Sequence, residues 1–473
     1  FDDAVWAEPD TKLNNGGWHA IVAIADVAYF VRPGDPIDIE AQNRGNSVYF
    51  PDRIVPMLPE YLSNDICSLK PREDRACLVV HLYICPKGNI KHFYFERGLI
   101  RSIARLSYLQ FQQAIDREPD DVLEPYFENV VMPLYNTYLA LSDARTRRGA
   151  LNLELPERQV QLGSTGHVKS ITEVPQYDSH KLIEEFMIAA NVAAAQLLEQ
   201  YNVGSIYRIH DQPNAEKLNS LAEIITALKL KLPQDRQFNN EQLNKILNKS
   251  GSGNFKYISN ALILRAQSRA EYSTKNIGHF GLGLCNYTHF TSPIRRYSDV
   301  LIHRAIIKTL QIGEGGSITS DKDELKNVCN HISTTERRAS LAERSATDRY
   351  AAKYLARFEG SELCGHVSGI TRFGVFVQLD KTGADGLIPL RTLNTPRIPT
   401  SSENYSISLD STTLKLGDPV VVRLQEVNIV TAQLILCLVK ANGRYIEPLA
   451  SREVKRKGRK KNEKRRSRKK SKF

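Results

Sequence analysis

Short apolar runs and turn-forming residues organise the chain from residue 1 to about 100. Residues 20–25 and 78–84 are almost continuously apolar. Runs of this length are typical of strands that are buried on both faces. Between the two runs, Gly45, Pro51 and Pro56 predict a long irregular loop.

Helical spacing dominates the middle of the chain, from about residue 104 to 358. The small residues in 182–198 predict a helix, and the segment 336–358 predicts a second, highly charged helix. Glycines at 163–166 and 278–283 predict loops that interrupt this region.

Strand patterning returns between about residues 361 and 440, in the segments 364–367, 374–379 and 419–424. Short strands that are joined by glycine turns over this length favour a small β-barrel of the oligonucleotide-binding (OB) kind. The patterns together predict an α+β chain, in which a region of mixed strands and helices precedes the barrel.

Charge changes this picture only at the C-terminal end. The net charge of the chain is +11, and the segment 451–473 holds 14 Lys and Arg residues against two acids, a net of +12. The other 450 residues therefore carry a net charge of −1. The segment has no apolar periodicity, which predicts a disordered tail that binds polyanions. A tail that only improves solubility is the alternative.

Length and composition indicate a globular protein. At 473 residues the chain is long enough for about three domains, and no apolar run approaches the roughly 20 residues that cross a bilayer. The seven cysteines are scattered without a Cys-x-x-Cys pair, which predicts a reduced, cytoplasmic setting without a structural zinc. The chain begins at Phe1 rather than at a methionine, and we expect it to be a fragment of a longer protein.

The segment 289–299 (HFTSPIRRYSD) carries the first chemical signal. Ser292 and Pro293 resemble a helix N-cap followed by proline at the first helical position. Arg295 and Arg296 then fall in the first turn, where each cation costs roughly 0.3–1 kcal/mol unless an anion lies nearby. A phosphate would remove this penalty and use the free amides. An ordinary cap whose arginines pair with carboxylates elsewhere is the alternative.

Two adjacent carboxylates at the start of the chain, Asp2 and Asp3, carry the second signal. Like charges at this separation resist joint ionisation unless a cation compensates them. Magnesium takes one or two protein carboxylates and completes its shell with water and substrate phosphate. If the fold brings these residues to the arginines, the result is a site for phosphodiester hydrolysis. A solvated turn is the alternative.

These motifs belong to a longer series of segments that occur in a fixed order: 2–5 (DDAV), 22–27 (VAIADV), 43–51 (NRGNSVYFP), 56–59 (PMLP), 207–211 (YRIHD), 278–282 (GHFGL) and 289–299. The series resembles the ribonuclease II / ribonuclease R (RNB) family of processive 3′-to-5′ exoribonucleases over essentially all of residues 1–440. The resemblance implies an RNB catalytic domain at 1–358 with its N-terminal edge missing, an S1-type OB-fold RNA-binding domain at 361–440, and a disordered Lys/Arg-rich tail at 451–473.

The resemblance also implies roles for individual residues. Asp2 would be the carboxylate most directly tied to catalysis and a metal ligand, and Asp3 would be a magnesium ligand. Arg295 matches the family's catalytic arginine, which contacts the scissile phosphate. Tyr49 matches a tyrosine that stacks on RNA near its 3′ end and helps to set the length of the final product, whereas the residues alone would favour a loop-packing aromatic.

Further RNA contacts are implied at Tyr108 and Glu184, which match a pair that grips a base, and at Arg296. Without the resemblance, Tyr108 would be a core residue and Glu184 an acid on a helix surface. Phe373 and Phe376 match exposed aromatics of the S1-type barrel, on which bases stack for about 1–3 kcal/mol each. The alternative for Phe376 is a side chain that faces the barrel core.

The chain departs from the family pattern in three places. Two further motif aspartates of the family would lie upstream of Phe1. Leu153 stands where the family often has a stacking aromatic, and Pro389 stands where a histidine is expected after 386–388 (GLI). The resemblance implies that Leu153 weakens one end of the base stack and that Pro389 removes one polar contact from the barrel surface.

The expected function is a processive, magnesium-dependent 3′-to-5′ exoribonuclease that releases nucleoside 5′-monophosphates in RNA turnover and quality control. The expected partners are single-stranded RNA, RNA with 3′ overhangs and, through the tail, ribosomes. The protein is expected to be a monomer with no membrane partner. A catalytically inactive RNA-binding regulator with the RNB fold is the alternative, above all for the fragment as given.

Overall fold

A computed structural model describes residues 1–227, 239–251, 254–393, 395, 406–409 and 412–446. The strands in chain order are β1 (Asp3–Asp10), β2 (Gly17–Ala25), β3 (Val48–Tyr49), β4 (Ile54–Val55), β5 (Asp74–Ile84), β6 (Ile90–Arg101), β7 (Glu157–Leu162), β8 (Val168–Val174), β9 (Tyr207–Ile209), β10 (Glu271–Ser273), β11 (Glu362–Thr371), β12 (Gly374–Leu379), β13 (Asp385–Pro389), β14 (Ser406–Ser408), β15 (Thr413–Lys415), β16 (Pro419–Asn428), β17 (Gln433–Ala441) and β18 (Arg444–Tyr445).

The α-helices are α1 (Val27–Phe30), α2 (Pro36–Arg44), α3 (Tyr108–Ile115), α4 (Met132–Arg147), α5 (Asp178–Gln200), α6 (Ala215–Ala227), α7 (Asn240–Lys249), α8 (Asn254–Ala266), α9 (Tyr297–Leu310) and α10 (Lys322–Leu355). Among the described residues, no helix is both long enough and apolar enough to cross a bilayer. All seven cysteines are free thiols.

An antiparallel sheet in the order β1-β2-β5-β6 forms the centre of the first domain. The predicted apolar runs are confirmed as the buried strands β2 and β5. Asp3 opens β1 opposite Ile24, and the backbone N–H of Ala25 donates to the Asp2 carbonyl at 2.8 Å. The edge of this sheet therefore fixes the backbone of both predicted site carboxylates.

Helices cover one face of this sheet. The predicted helix at 182–198 is confirmed within α5, whose small side chains lie in the same hydrophobic core as β2 and β5. The charged helix predicted at 336–358 is the second half of α10 and the single turn that follows it. The hairpin of β7 and β8 was not predicted, and the glycines at 163–166 form its turn.

A closed barrel forms the second domain, as predicted. Its strands run β13-β12-β11-β16-β17, and Leu387 of β13 pairs with Ile435 of β17 to close it. Side chains alternate along β12, where Val375, Val377 and Leu379 are buried. The α+β architecture with a terminal OB-type barrel is therefore confirmed.

The barrel and the helices α6 to α8 share one hydrophobic core. Gly417 adopts φ +88°, and a β-carbon there would lie 1.9 Å from Ile258 Cδ1 of α8. Arg265 also donates to the Ser368 carbonyl at 3.1 Å. The barrel is therefore held against helices α6 to α8 by close packing. The predicted tail at 451–473 lies outside the described residues.

Candidate active site

The arginine motif forms a tight turn ahead of α9, which corrects the expected helix start. The helix begins at Tyr297 with Arg296 in extended conformation at its N-cap position, not at Pro293. The Ser292 carbonyl accepts from the backbone N–H groups of Arg295 at 3.2 Å and Arg296 at 3.0 Å. Both arginines therefore precede the first turn of the helix, and the predicted cap at Ser292 is wrong. Arg296 forms a β-bridge with Asn46 of a loop distant in sequence, and this pairing holds it in an extended rather than a helical conformation.

That loop is the segment around Gly45. The Ser47 N–H donates to the Arg295 carbonyl at 3.0 Å, and the Tyr297 N–H donates to the Gly45 carbonyl at 2.9 Å. Gly45 adopts φ +74°, and a β-carbon there would lie 2.0 Å from the Thr335 hydroxyl oxygen. Only glycine suits this position, and the pairing brings β3 beside the arginine turn.

Asp2, which precedes the edge strand β1, contacts the same turn at residues 292–295. Its Oδ1 accepts from the Ile294 N–H at 2.8 Å, so residues 292 positions apart in sequence are in direct contact. Burial raises the pKa of Asp2 to about 6, although this hydrogen bond and the charge of Arg295 act in the opposite direction. Burial also raises the pKa of Asp3, against the pull of the chain's amino group and Arg295.

The two carboxylates fit a hard cation. Each is partly withdrawn from water and has its pKa raised, which is the condition under which a bound cation stabilises the ionised form. Magnesium often takes only one or two protein carboxylates. Across the described ranges, no group of three or more His, Cys, Asp or Glu side chains is arranged to hold a metal.

Tyr49 and Tyr108 lie near this cluster with exposed rings, at 45% and 46% of their full accessibility. Burial raises the pKa of Tyr49. The charge of Arg295 lowers this pKa, and the charge of Asp2 raises it. The pKa of Tyr108 is raised by burial and is influenced by Asp3 and Arg295. Tyr108 is therefore not a core residue, and both hydroxyls lie within the electrostatic influence of Arg295 and of one carboxylate.

The two arginines of the motif have different surroundings. Arg295 is exposed and donates only weakly to the Ser292 hydroxyl, at 3.2 Å. Arg296 Nη2 donates to Asp299 Oδ1 at 2.7 Å. Burial disfavours the Arg296 cation, but pairing with Asp299 outweighs it and raises the pKa of Arg296. Its guanidinium is thus engaged inside the protein, and a contact of Arg296 with RNA stays a prediction.

Glu184 lies apart from this cluster, in a cleft of about 1420 Å³. Its Oε1 accepts from Arg145 Nη1 at 2.8 Å, and the same nitrogen donates to the buried Glu185 at 2.6 Å. The predicted departure Leu153 lines this cleft too. His180 connects the two places, because it lines the cleft and stacks on Tyr108 with ring centroids 3.9 Å apart. Sequence reasoning missed His180 and Arg145, and no local pattern marks either.

The predicted aromatics of the barrel lie on its surface. Phe373 is 62% exposed, with the Arg372 guanidinium 4.8 Å from its ring centroid. Phe376 points away from the buried side of β12, so the core-facing alternative is wrong. Pro389 ends β13 opposite Gly374. The barrel therefore presents a solvent-facing aromatic surface, remote in sequence from the carboxylates.

Two family models match the chain, the RNB domain over residues 1–312 and the S1 RNA binding domain over residues 357–438. Ribonuclease R of Escherichia coli is 37% identical over 440 residues, which cover 90% of this chain and 54% of that protein. Ribonuclease R of Aquifex aeolicus is 38% identical over 397 residues, with 83% and 55% covered. The chain spans about half the length of the curated relatives it matches.

Solved structures give the same picture of the fold. RNase R of Mycoplasma genitalium, in complex with ribose-methylated single-stranded RNA, superposes with a TM-score of 0.84 at 29% identity, covering 93% of this chain and 69% of that chain. The yeast pseudonuclease Ssd1 superposes with a TM-score of 0.72 at 15% identity, covering 93% and 66%. The second likeness concerns the fold alone.

Proposed function

The chain belongs to the RNB domain family, and from that membership we propose that it is a magnesium-dependent exoribonuclease that removes nucleotides one at a time from the 3′ end of RNA. One observation carries the proposal. The Ile294 N–H donates to the Asp2 carboxylate at 2.8 Å, so the desolvated carboxylates and Arg295 share one site. That combination suits hydrolysis of a phosphodiester bond.

Asp2 and Asp3 would hold the magnesium ion, which when bound neutralises phosphate charge and acidifies a water molecule. The raised pKa of each carboxyl supports this assignment, since both would gain from a cation nearby. Asp2 is also oriented by the Ile294 N–H, which donates to Oδ1 and leaves Oδ2 as the oxygen that would serve as a metal ligand.

Arg295 would stabilise the charge that develops on the scissile phosphate. Its exposure and its weak contact with Ser292 leave its guanidinium available to an RNA phosphate. A guanidinium matches the phosphate oxygens with two parallel hydrogen bonds. Tyr49 and Tyr108 would stack on the last bases and keep the 3′ end in line for attack.

Glu184 would contact a base from the cleft, held in place by Arg145. Phe373 and Phe376 would bind RNA farther from the 3′ end, by base stacking on the barrel surface. The RNA complex of the Mycoplasma genitalium relative supports single-stranded RNA as the substrate, and the complex of the same protein with double-stranded RNA supports RNA with a paired region and a 3′ overhang.

We extend the proposal to RNA turnover and quality control in the cytoplasm, by a monomer that also contacts ribosomes through its tail. The free state of all seven cysteines is compatible with a reducing compartment. Cell fractionation, sedimentation with ribosomes and light scattering would test these three points separately.

The experiment that tests the activity follows a 5′-labelled single-stranded RNA with Mg²⁺ and with EDTA. We expect shortening from the 3′ end and release of nucleoside 5′-monophosphates with Mg²⁺ only, and we expect Asp2→Asn to leave the RNA at its full length. Internal cuts, 3′-monophosphate products or undiminished activity of Asp2→Asn would contradict the proposal.

An RNA-binding regulator without catalysis is the second candidate. One observation favours it: a pseudonuclease shares this fold, so the fold by itself does not require catalysis. The same assay separates the candidates, because a regulator would retain labelled RNA on a filter without shortening it at any Mg²⁺ concentration.

A further inference from the structure

Asp299, in the first turn of α9, is a fully buried carboxylate that the proposed mechanism does not use. Its Oδ1 accepts from the Ser292 backbone N–H at 2.7 Å and from Arg296 Nη2 at 2.7 Å. Its Oδ2 accepts from the Ser298 hydroxyl at 2.8 Å. Three donors from one short segment therefore converge on a single buried side chain.

The donor at Ser292 is the important one, because Ser292 begins the turn at residues 292–295. Its carbonyl accepts from the Arg295 and Arg296 N–H groups, and its hydroxyl accepts from Arg295 Nη2. The next residue but one, Ile294, donates to Asp2. The hydrogen bond from the Ser292 N–H to Asp299 therefore fixes the segment from which Arg295 projects.

Neutralising the buried Arg296 is the simpler role for Asp299. That role alone does not require the same oxygen to accept the Ser292 N–H. The Arg296 backbone also forms an isolated β-bridge with Asn46 of the neighbouring loop. The Asp299 carboxylate therefore connects Ser292, at the start of the turn, with Arg296, which is bridged to that loop. The same Asp299 oxygen thus both neutralises Arg296 and anchors the turn through the Ser292 N–H.

We propose that Asp299 is a positioning residue, which holds the 292–295 turn so that the Arg295 guanidinium stays aimed at the scissile phosphate. Asp299 contacts neither RNA nor metal in this proposal, which rests on the proposed exoribonuclease function. Its loss should therefore lower kcat while the affinity for RNA is retained, and most of that loss should depend on Arg295.

The test is a double-mutant cycle on the full chain, with Asp299→Ala, Arg295→Ala and the pair. We expect Asp299→Ala to lower kcat by about 10²-fold, close to the loss of one transition-state donor, with little change in the RNA dissociation constant. In the Arg295→Ala background the same substitution should lower kcat less than about threefold, since coupled residues are not additive. Asp299→Asn can still accept the Ser292 N–H and should recover most of kcat.

Two controls keep the test decisive. Asp299→Ala combined with Arg296→Met leaves no unpaired buried charge, and should fold and show the same loss. Asp38→Asn removes another buried carboxylate, which contacts α9 through Tyr297 and Arg304 at 2.9 and 2.8 Å. Asp38→Asn should lower Tm. Any effect of Asp38→Asn on kcat should be the same in the parent and in the Arg295→Ala background.

Additive losses for Asp299→Ala and Arg295→Ala, or a loss confined to KM, would overturn the positioning role and leave the exoribonuclease function standing. A parent chain that binds RNA but never shortens it would overturn both. Equal losses for Asp299→Asn and Asp299→Ala, with unchanged Tm, would also contradict a turn anchor.

Discussion

The half-buried carboxyl of Asp2 sets the pH dependence of this site at the scale of single residues. Asp2 has its pKa raised to about 6 by burial, against about 3.9 for an unperturbed aspartate. A carboxyl whose pKa is higher in the folded state stabilises the fold when protonated. This contribution is fully present below about pH 4 and is lost as the pH rises through 6.

Asp2→Asn, which stays neutral, should therefore unfold at a higher denaturant concentration than the parent at pH 8 in EDTA. The gain should be on the order of 1–3 kcal/mol and should vanish near pH 4. Urea titrations at pH 4, 6 and 8 measure it. A gain that is the same at all three values would mean that Asp2 is not the group that titrates.

Arg295→Ala should lower turnover by about 10²–10³-fold, because loss of one charge-stabilising donor typically costs about 2.7–4 kcal/mol. The measurement is kcat and KM on a short single-stranded RNA, with Arg295→Lys as the matched variant that keeps the charge but loses the planar fork. A rise in KM at constant kcat would instead make Arg295 a residue that binds ground state and transition state equally.

Elements with a strong local pattern could be predicted from sequence, and elements that depend on distant partners could not. The apolar run in β2 and the small-residue helix α5 carry their own periodicity. The start of α9 does not, because the Asp299 carboxylate and the Gly45 loop hold the preceding residues extended. The β7 strand (ERQVQL) is mostly polar, so nothing distinguished it from a loop.

Gly45→Ala tests how far this loop supports the site. The positive φ and the close approach of Thr335 mean that a methyl group would strain the loop and collide with the Thr335 side chain, beside the arginine turn. We expect a loss of stability of about 1–3 kcal/mol together with a fall in kcat. Gly34→Ala is the matched control, since Gly34 also has a positive φ (+82°) but a β-carbon there meets nothing within 4 Å. Equal effects on kcat would remove the special role of the Gly45 loop.

At the scale of the whole molecule, the site exists only because the fold joins the two ends of the RNB region. Asp2 and Ile294 touch across 292 positions, a distance that no local pattern spans. The resemblance of ordered segments supplied the grouping of Asp2, Asp3, Tyr49 and Arg295, and the structure brings these residues together. The same resemblance paired Tyr108 with Glu184, which the structure connects through His180 and through the Ser179 hydroxyl of α5, which donates to the Tyr108 carbonyl.

The basic segment 451–473 permits a prediction from charge alone. It carries a net of +12, and the rest of the chain carries −1. Each lysine or arginine that neutralises a phosphate releases a counterion, so affinity falls with salt in proportion to the number of such contacts. Removing the segment should weaken RNA binding without sequence preference and flatten the salt dependence. Turnover of bound single strands should survive, because Asp2, Asp3 and Arg295 belong to the other domain.

Degradation of a duplex with a 3′ overhang should suffer more than degradation of unstructured RNA, because a duplex must be held while its strands separate. Time courses on both substrates at two salt concentrations measure this, for the intact chain, the deletion and a variant with every Lys and Arg of the segment changed to Gln. The Gln variant keeps the length of the segment and removes only its charge, so it should match the deletion. Equal losses on both substrates would make the segment a general tether, and a Gln variant that behaves like the intact chain would exclude charge as the cause.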